Sequence, residues 1–458
     1  MSFRFPLRVS AVLALALLAM SGCSTVQVSP QQPGERAVRH EQHPAIAEAA
    51  TLAEQDATLT GSARSANAQA IRRLLTGLDD AALQREADAL PAEHALYPFV
   101  GQELIARRLP LPKPFARGNW QFDAGNRPAA DRDGYRPPMK LGVLLPMTGS
   151  LAAAAAPVRD GLLAGYYGEL RRRPDITFYD TAAGASAAYD RAVADGNDFV
   201  VGPLGREEVT ALFGRSDLSV PVLALNRGSN LPPRGSASFS LSPEDEGVAA
   251  ANYLLARGAR RVLLIGGADD TQRRALLAFR EHLLQRGGTV TDTLSEGVAD
   301  FTAAAQREGG VDGIFLALRG SAARTVMPKL AEAGLAGKLR VATSALASGT
   351  GKAADDAALD GIAFPTEAWE VRGAPGLPSH TSVAGVLPTA RGPAARLFAF
   401  GYDAWRITDF LEKLALTPDA DLPGATGDLS LDGFGNIVRR PAWSTFSGGR
   451  VIPLPDAR

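Results

Sequence analysis

The stretch that decides the fold is KLGVLLP, at residues 140–146, followed by Thr148-Gly149-Ser150 and an alanine-rich run to residue 170. A short apolar run of this kind, bounded by a polar loop, predicts a strand buried on both faces of a sheet. The alanine-rich run directly after it predicts a helix, since alanine has the highest helix propensity. A buried strand followed by a helix is the first half of a βαβ unit, and such units build parallel sheets.

The same alternation of strands and helices continues to residue 343. Two consecutive series predict an α/β domain with two lobes, each on a parallel sheet, and a cleft between them. The predicted strands are 176–179, 199–201, 220–225, 261–265, 289–293, 313–318 and 340–343. The predicted helices are 151–170, 185–195, 205–214, 244–257, 270–286, 300–308 and 321–334.

The loops after these strands predict which residues line the cleft. Ligands of open α/β sheets bind outside the carboxyl ends of the strands. The polar residues that we expect there are Thr148, Ser150, Asp180, Thr181, Asn226 and Ser344.

The first 22 residues predict a lipoprotein signal peptide. Arg4 and Arg8 precede an apolar run, Val9–Met20, that is shorter than the roughly 20 residues of a membrane span. The run leads into Cys23, the single cysteine of the chain, in a pattern that resembles a bacterial lipobox, whose cysteine carries the lipid. By the same resemblance, Ser24 rather than Asp favours sorting to the outer membrane. The alternative is an ordinary secretory peptide in which Cys23 is incidental.

The rest of the chain divides into four parts. Residues 23–38 are polar and predict a lipid-anchored flexible tether. Residues 39–109 carry apolar positions at helical spacing and predict a short α-helical region of three or four helices, or a loose helical spacer. Residues 110–138 are rich in proline and predict an extended linker. Residues 139–458 form the α/β domain.

Composition excludes several classes of function. The 458 residues have a net charge of -1, which argues against nucleic-acid binding, and 46% are hydrophobic, which argues against wholesale disorder. One cysteine and five scattered histidines argue against a metal site. The chain lacks the catalytic or nucleotide-binding patterns GxSxG, HExxH, Walker and GxGxxG. Gly433-Phe434-Gly435 comes near the GxGxxG pattern but lacks its third glycine. We therefore expect no metal, no cofactor and no catalytic residue.

Two kinds of charged feature have two interpretations each, and one histidine has a single one. Acidic pairs such as Asp245-Glu246 suit a cation site or the first turn of a helix, and Ser242-Pro243 before them favours helix capping. The arginine run 171–173, like Arg439-Arg440, suits contact with anionic lipid or cell-wall polymer, but solvated helix ends are favoured. His282 lies among arginines on a predicted helix, and we expect it at the surface.

Several segments of the chain carry a resemblance in their order. They are KLGVLLPMTGSLAAAAAPVRDGLLAGYY (140–167), FYDTAAGASAAYDRAVADGNDFVVGPL (178–204), PVLALN (221–226), SPEDEGVAAANYLLARGARRVLLIG (242–266), GATGDLSLD (424–432) and LDGFGNIVRRPAWSTFSGG (431–449). Together they resemble the C-terminal domain of the LpoA family of outer-membrane lipoproteins. LLPMTG alone also suits type I periplasmic solute receptors, but the whole order behind a lipobox is more specific.

The resemblance implies a two-lobed, type I periplasmic-binding-protein-like domain without enzymatic activity of its own. It implies a protein lipid-anchored at the periplasmic face of the outer membrane that binds a bifunctional class A penicillin-binding protein. Its action would be to stimulate peptidoglycan synthesis, mainly transpeptidation. The chain departs from the family in one respect, since residues 39–109 leave room for a much shorter helical part.

A second hypothesis is a lipid-anchored periplasmic receptor for a small solute such as an amino acid, held by the cleft residues. The apolar run after the first loop argues against it, because a capturing cleft would more often be polar there. For the partner contact we predict the irregular segment 366–392, with Trp369 as its aromatic anchor. The alternative for Trp369 is core packing where the lobes join.

Overall fold

The computed structural model describes residues 42–455, apart from 57, 60, 108, 117–126, 216–217, 234, 349, 351 and 418–419. Cys23, the signal peptide and the tether therefore lie outside the described residues. The described part of the chain belongs to one compact unit. Within it, no helix is both long enough and apolar enough to cross a membrane.

Four helices precede the α/β domain. They are α1 (Pro44–Asp56), α2 (Gly61–Thr76), α3 (Asp80–Ala89) and α4 (Tyr97–Ala106). They share a core of their own, in which Ile46, Ile71 and Leu104 are fully buried, so they are a packed region rather than a loose spacer. Asp79 caps α3, since its Oδ1 accepts a hydrogen bond of 2.7 Å from the backbone N–H of Ala82.

The first lobe is built on a five-stranded, all-parallel sheet with the order β2-β1-β3-β4-β5. Its core lies between this sheet and the helices on its two faces. The strands are β1 (Lys140–Leu145), β2 (Asp175–Asp180), β3 (Phe199–Val201), β4 (Val222–Ala224) and β5 (Ala237–Ser238). The helices are α5 (Ala152–Gly168), α6 (Ala185–Ala194) and α7 (Arg206–Phe213).

The second lobe repeats the same strand order, as β7-β6-β8-β9-β10, and two antiparallel strands extend its sheet beyond β10. Its strands are β6 (Arg261–Gly266), β7 (Thr289–Ser295), β8 (Gly313–Ala317), β9 (Leu339–Ala342), β10 (Ile362–Thr366), β14 (Ala442–Ser447) and β15 (Arg450–Leu454). Its helices are α8 (Pro243–Leu255), α9 (Asp270–Gln285), α10 (Thr302–Ala305), α11 (Gly320–Glu332) and α12 (Ala353–Asp356), with 3₁₀ turns at Ser344–Ala347 and Ala357–Leu359.

The chain passes between the lobes three times. It crosses first after β5, and again after β10 through α13 (Ala368–Val371), α14 (His380–Val386) and a 3₁₀ turn at Pro388–Ala390. This second crossing leads into α15 (Pro393–Leu416) and a three-stranded sheet of β11 (Leu422–Pro423), β12 (Asp428–Leu431) and β13 (Ile437–Arg440), which share the core of the first lobe. The third crossing, at Pro441, leads back to β14. The predicted α/β fold with two lobes on parallel sheets, preceded by a helical region, is confirmed.

Helices α5 and α15 are in backbone contact. A Cβ atom on Gly161 would lie 1.9 Å from the carbonyl oxygen of Phe398, and one on Gly401 would lie 1.9 Å from that of Val158. Only glycine allows this approach, because any larger residue would push the helices apart.

The arginine run before β2 binds the segment that leads into β1. Arg171 lies 3.0 Å from a carboxylate oxygen of Asp133, and its guanidinium lies 3.6 Å from the ring centroid of Tyr135. Arg172 donates a hydrogen bond of 2.9 Å to the carbonyl oxygen of Pro137. Arg171 and Arg173 are exposed, in agreement with the favoured interpretation of solvated side chains. Arg171 and Arg172 nevertheless also fix the end of the linker to the first lobe.

Candidate interlobe site

Two predicted cleft residues meet at the carboxyl ends of β1 and β2. Asp180 accepts hydrogen bonds of 2.8 Å from the Thr148 hydroxyl, 2.9 Å from the Met147 N–H and 3.0 Å from the Ala182 N–H. The backbone donors of Ala182 and Met147, with the Thr148 hydroxyl, hold the pKa of Asp180 below its usual value. The carboxylate therefore braces the loop that starts α5.

The other predicted residues of the first lobe differ in exposure. Ser150 lies exposed in the loop before α5, whereas Thr181 is buried and its hydroxyl has no hydrogen-bond partner. Asn226, after β4, donates a hydrogen bond of 3.0 Å to the carbonyl oxygen of Leu204. Of these three residues, only Ser150 is exposed.

Ser344, after β9 in the second lobe, is bonded to a buried carboxylate. Its N–H donates to Glu246 over 2.9 Å, and its hydroxyl donates to the same carboxylate over 2.8 Å. The guanidinium of Arg396, at the start of α15, donates to both Glu246 and the Ser344 hydroxyl. Burial raises the pKa of Glu246, but Arg396 and Arg439 outweigh it and hold the pKa below its usual value.

A second ion pair lies one residue before Glu246. Arg227, which follows Asn226 in the first lobe, donates a hydrogen bond of 2.8 Å to Asp245 in the first turn of α8. The third acid of that turn, Glu244, pairs with Arg274 of α9 over 2.7 Å. Each acid of the turn thus has an arginine partner.

The favoured capping interpretation agrees with this geometry, since the Ser242 hydroxyl accepts a hydrogen bond from the Asp245 N–H. Sequence reasoning singled out the acidic pair Asp245-Glu246 but missed Arg227 and Arg396 as its partners. Only the unusual density of acids in one helix turn could have indicated that some of them bind arginines.

Trp369 lies in the core. It is 2% exposed, its ring stacks on Phe398 at 5.2 Å, and its indole N–H donates a hydrogen bond of 2.7 Å to the carbonyl oxygen of Pro378. An anchor for a partner must be accessible, so the structure corrects the partner-contact prediction for Trp369 in favour of the core-packing alternative. The indole instead orders segment 366–392.

His282 is also buried rather than at the surface, with 7% exposure. Its Nε2 lies 2.8 Å from the Asn252 side-chain oxygen, and the Asn252 amide donates a hydrogen bond of 2.9 Å to the Ala106 carbonyl at the end of α4. The expectation of exposure was wrong, because the four-helix region covers this side of α8 and α9. In the described part of the chain, no group of three or more His, Cys, Asp or Glu residues is placed to hold a metal ion.

Known proteins resemble both the sequence and the fold. A protein-family model described as "LppC putative lipoprotein" matches residues 135–294 and 293–449, which together exceed half of the chain. A relative from Photobacterium profundum, named penicillin-binding protein activator LpoA, is 26% identical over 353 residues. That match covers 69% of this chain and 57% of the relative. The chain therefore spans little more than half the length of this relative.

Solved structures share the fold. The C-domain of LpoA from Haemophilus influenzae, described as a regulator of PBP1A, aligns over 69% of this chain and all of that domain, with 22% identity and a TM-score of 0.61. Full-length LpoA from the same organism aligns over 90% of this chain and 78% of its own length, with 20% identity and a TM-score of 0.62.

A structure described as "a putative branched-chain amino acid ABC transporter", from Chromobacterium violaceum, aligns over 67% of this chain and all of its own length, with 26% identity and a TM-score of 0.55. The fold is thus that of LpoA and of periplasmic-binding-protein-like solute binders, as the sequence predicts. The resemblance to LpoA is likewise confirmed. Since the family model matches most of the α/β domain in both lobes, the chain belongs to the LppC lipoprotein family.

Proposed function

We propose that this chain is a non-enzymatic activator that binds a bifunctional class A penicillin-binding protein and stimulates peptidoglycan synthesis by transpeptidation. The observation that carries the proposal is the similarity to relatives named penicillin-binding protein activator, together with a family model that matches both lobes of the domain. The mechanism is a shift of the synthase toward an active conformation. Its size is set by the difference in the activator's affinity for the two states of the synthase.

The internal bonding of the cleft residues supports this proposal over a solute receptor. Asp180 already binds the loop before α5, and Ser344 already binds Glu246 and Arg396. Polar groups that are paired inside the protein must break those pairs before they can hold a solute. We therefore place the partner contact on the outer surface of the α/β domain, and segment 366–392 stays our candidate without Trp369 as its anchor.

We place the protein on the periplasmic face of the outer membrane, anchored by acyl chains on Cys23. Several buried acyl chains, at about 0.8 kcal/mol per CH₂ group, give firm attachment. The anchor is tested by fractionating cells with Cys23→Ser, which we expect to lose membrane attachment, beside cells with Ser24→Asp, which we expect to keep it but at the inner membrane. Recovery of Cys23→Ser in the outer-membrane fraction would contradict the anchor.

The activator proposal is tested with a soluble form that begins at Ser24 and with the organism's own bifunctional synthases. We expect saturable binding to one synthase and a higher fraction of cross-linked peptidoglycan. Blocking the transpeptidase of that synthase with a β-lactam is the control, and should abolish the extra cross-links. An absence of binding and of stimulation with every bifunctional synthase would refute the proposal, and a thermal-shift screen of small metabolites would then test the receptor hypothesis.

A further inference from the structure

Arg396 connects the two lobes through side-chain contacts. It stands in the first turn of α15, the helix that packs against α5 of the first lobe. Its guanidinium reaches Glu246 in α8 and Ser344 after β9, both in the second lobe. Arg396 Nε also lies 3.3 Å from Glu367, in the second crossing between the lobes.

The partners of Arg396 are withdrawn from solvent. The side chains of Glu246 and Glu367 are 6% and 8% exposed, and that of Arg396 is 24% exposed. Arg439, in the strand before the third crossing, is 4% exposed and lies 3.8 Å from Glu246. Charges buried to this degree persist only when they are paired, so the group holds together as a unit.

A second contact of the same type lies beside the first. Arg227 of the first lobe binds Asp245, the residue before Glu246, and also donates a hydrogen bond of 3.4 Å to the carbonyl oxygen of Ile437. Neighbouring acids of α8 thus bind arginines from two different elements outside the second lobe.

The position of these contacts matters for function. Ser344 follows β9 and Arg227 follows β4, so both lie at the sheet edges where strands end. Ligands of open α/β sheets bind at such edges, and ligand sites often lie between domains. At this place the chain itself supplies the Arg396 guanidinium, together with the Glu246 carboxylate and the Ser344 hydroxyl that accept its hydrogen bonds.

We propose that Arg396 is a built-in ligand of the interlobe cleft, which holds the two lobes together at a fixed angle without any bound solute. The inference is independent of the partner proposed above. It implies that the two lobes keep the same relative orientation, and therefore present the same outer surface to a partner. It also implies that removal of Arg396 opens a site with affinity for a guanidinium or amine cation.

The test compares the full chain from residue 24 with its Arg396→Ala and Arg396→Lys variants. The control is Arg273→Ala, which removes an exposed arginine that pairs with Asp270 inside α9. We expect Arg396→Ala to lower the melting temperature by about 5 °C or more, because Glu246 loses its main counter-ion. Arg396→Lys should lose less, and the control should change little.

Two further measurements separate a built-in ligand from simple packing. Millimolar methylguanidinium should restore part of the melting temperature of Arg396→Ala, with no effect on the unmodified chain or from equal sodium chloride. Small-angle scattering should show a larger radius of gyration for Arg396→Ala, which methylguanidinium reverses.

The inference is overturned if Arg396→Ala keeps its melting temperature, or if it melts earlier with unchanged scattering and no rescue. It is also overturned if an amino acid or amine stabilises the unmodified chain at millimolar concentration. Should Arg396→Ala fail to fold, the scattering of Arg396→Gln, which removes the charge but keeps a polar side chain, decides, and a radius of gyration equal to that of the unmodified chain would overturn the inference.

Discussion

At the scale of single residues, one buried histidine joins the helical region to the second lobe. The Asn252 amide donates to the end of α4, so its oxygen faces His282 and accepts from Nε2. These two hydrogen bonds require a proton on Nε2 of His282. Neither of them provides an acceptor for a second proton, on Nδ1. Burial, reinforced by Arg286 and Arg107, lowers the pKa of His282 to about 4.

This pKa predicts that His282 destabilises the folded chain in mild acid. The pKa of His282 is lower in the folded chain than its ordinary 6.5, so the unfolded chain binds the proton first as pH falls. The contribution of His282 to the free energy of unfolding should therefore fall from about pH 6.5 toward pH 4, by about 2 kcal/mol at pH 5. A His282→Gln variant lacks this contribution, so its stability should change less between pH 7 and pH 5.

Urea unfolding of both proteins at the two pH values measures the difference. Burial raises the pKa of Asp403 to about 6, so this group titrates in the same range. Because it is present in both proteins, it cancels from the comparison. Equal pH dependence in the two proteins would mean that His282 accepts a proton in the folded state.

At the scale of elements, the contact between α5 and α15 explains why the first lobe needs glycine on both helices. Gly401→Ala would place a methyl group on the backbone of α5, where the nearest atom is a carbonyl oxygen. We expect a loss of about 2 kcal/mol or more, since overpacking of a rigid backbone contact cannot relax locally. Gly385→Ala is the matched control, because Gly385 lies exposed in α14 with no atom within 4 Å of the added carbon.

The free energy of unfolding of both variants in urea provides the measurement. The control should stay within about 1 kcal/mol of the unmodified chain, because alanine has a higher helix propensity than glycine. A loss below about 0.5 kcal/mol for Gly401→Ala, the range usual for surface substitutions, would show that the helices separate at little cost.

The strands that sequence reasoning found and those that it missed differ in one physical property. Strands such as β1 and β8 are apolar runs between turn residues, so local pattern identifies them, as it did to within one or two residues. Strand β10 was missed because it contains Pro365 and follows a 3₁₀ turn. Helix α15 was missed because it is buried on most sides, so its apolar residues do not recur at helical spacing. Their identity depends on contacts with distant elements.

The candidate site shows the same limit. The sequence placed Ser344 at a strand end, which follows from the local pattern alone. Its partners Glu246 and Arg396 are 98 and 52 residues away along the chain, and no spacing rule connects them. Trp369 and His282 were misjudged for a related reason, because burial is decided by elements packed over them from elsewhere in the chain.

At the scale of the whole molecule, the helical region is fixed to the α/β domain rather than hanging from a loose linker. The Ala106 carbonyl at the end of α4 accepts a hydrogen bond of 2.9 Å from the Asn252 amide, and Arg286, after α9, lies 3.4 Å from the Asp80 carboxylate in α3. The hairpin turn between β12 and β13, residues 432–436, contacts α4 from the other side. The proposed activator would therefore have a helical arm of set direction.

The hairpin turn is the contact that should decide whether this arm stays in place. A Cβ atom on Gly433 would lie 2.7 Å from Pro98, at the start of α4, while Phe434 meets the ring of Phe99 edge-on at 4.8 Å. Gly433→Val would thus push α4 away, and we expect the helical region to detach while the α/β domain stays folded. Gly337→Val is the matched control, since Gly337 is exposed and has no neighbouring atom within 4 Å.

Small-angle scattering and limited proteolysis together test this arrangement. Detachment should raise the radius of gyration of Gly433→Val and expose residues 107–116 to cleavage, with a protected fragment of the α/β domain left behind. The control should behave like the unmodified chain. If Gly433→Val keeps the scattering and cleavage pattern of the unmodified chain, the arm is held by its other contacts, such as Asn252 with Ala106, and the hairpin only follows its position.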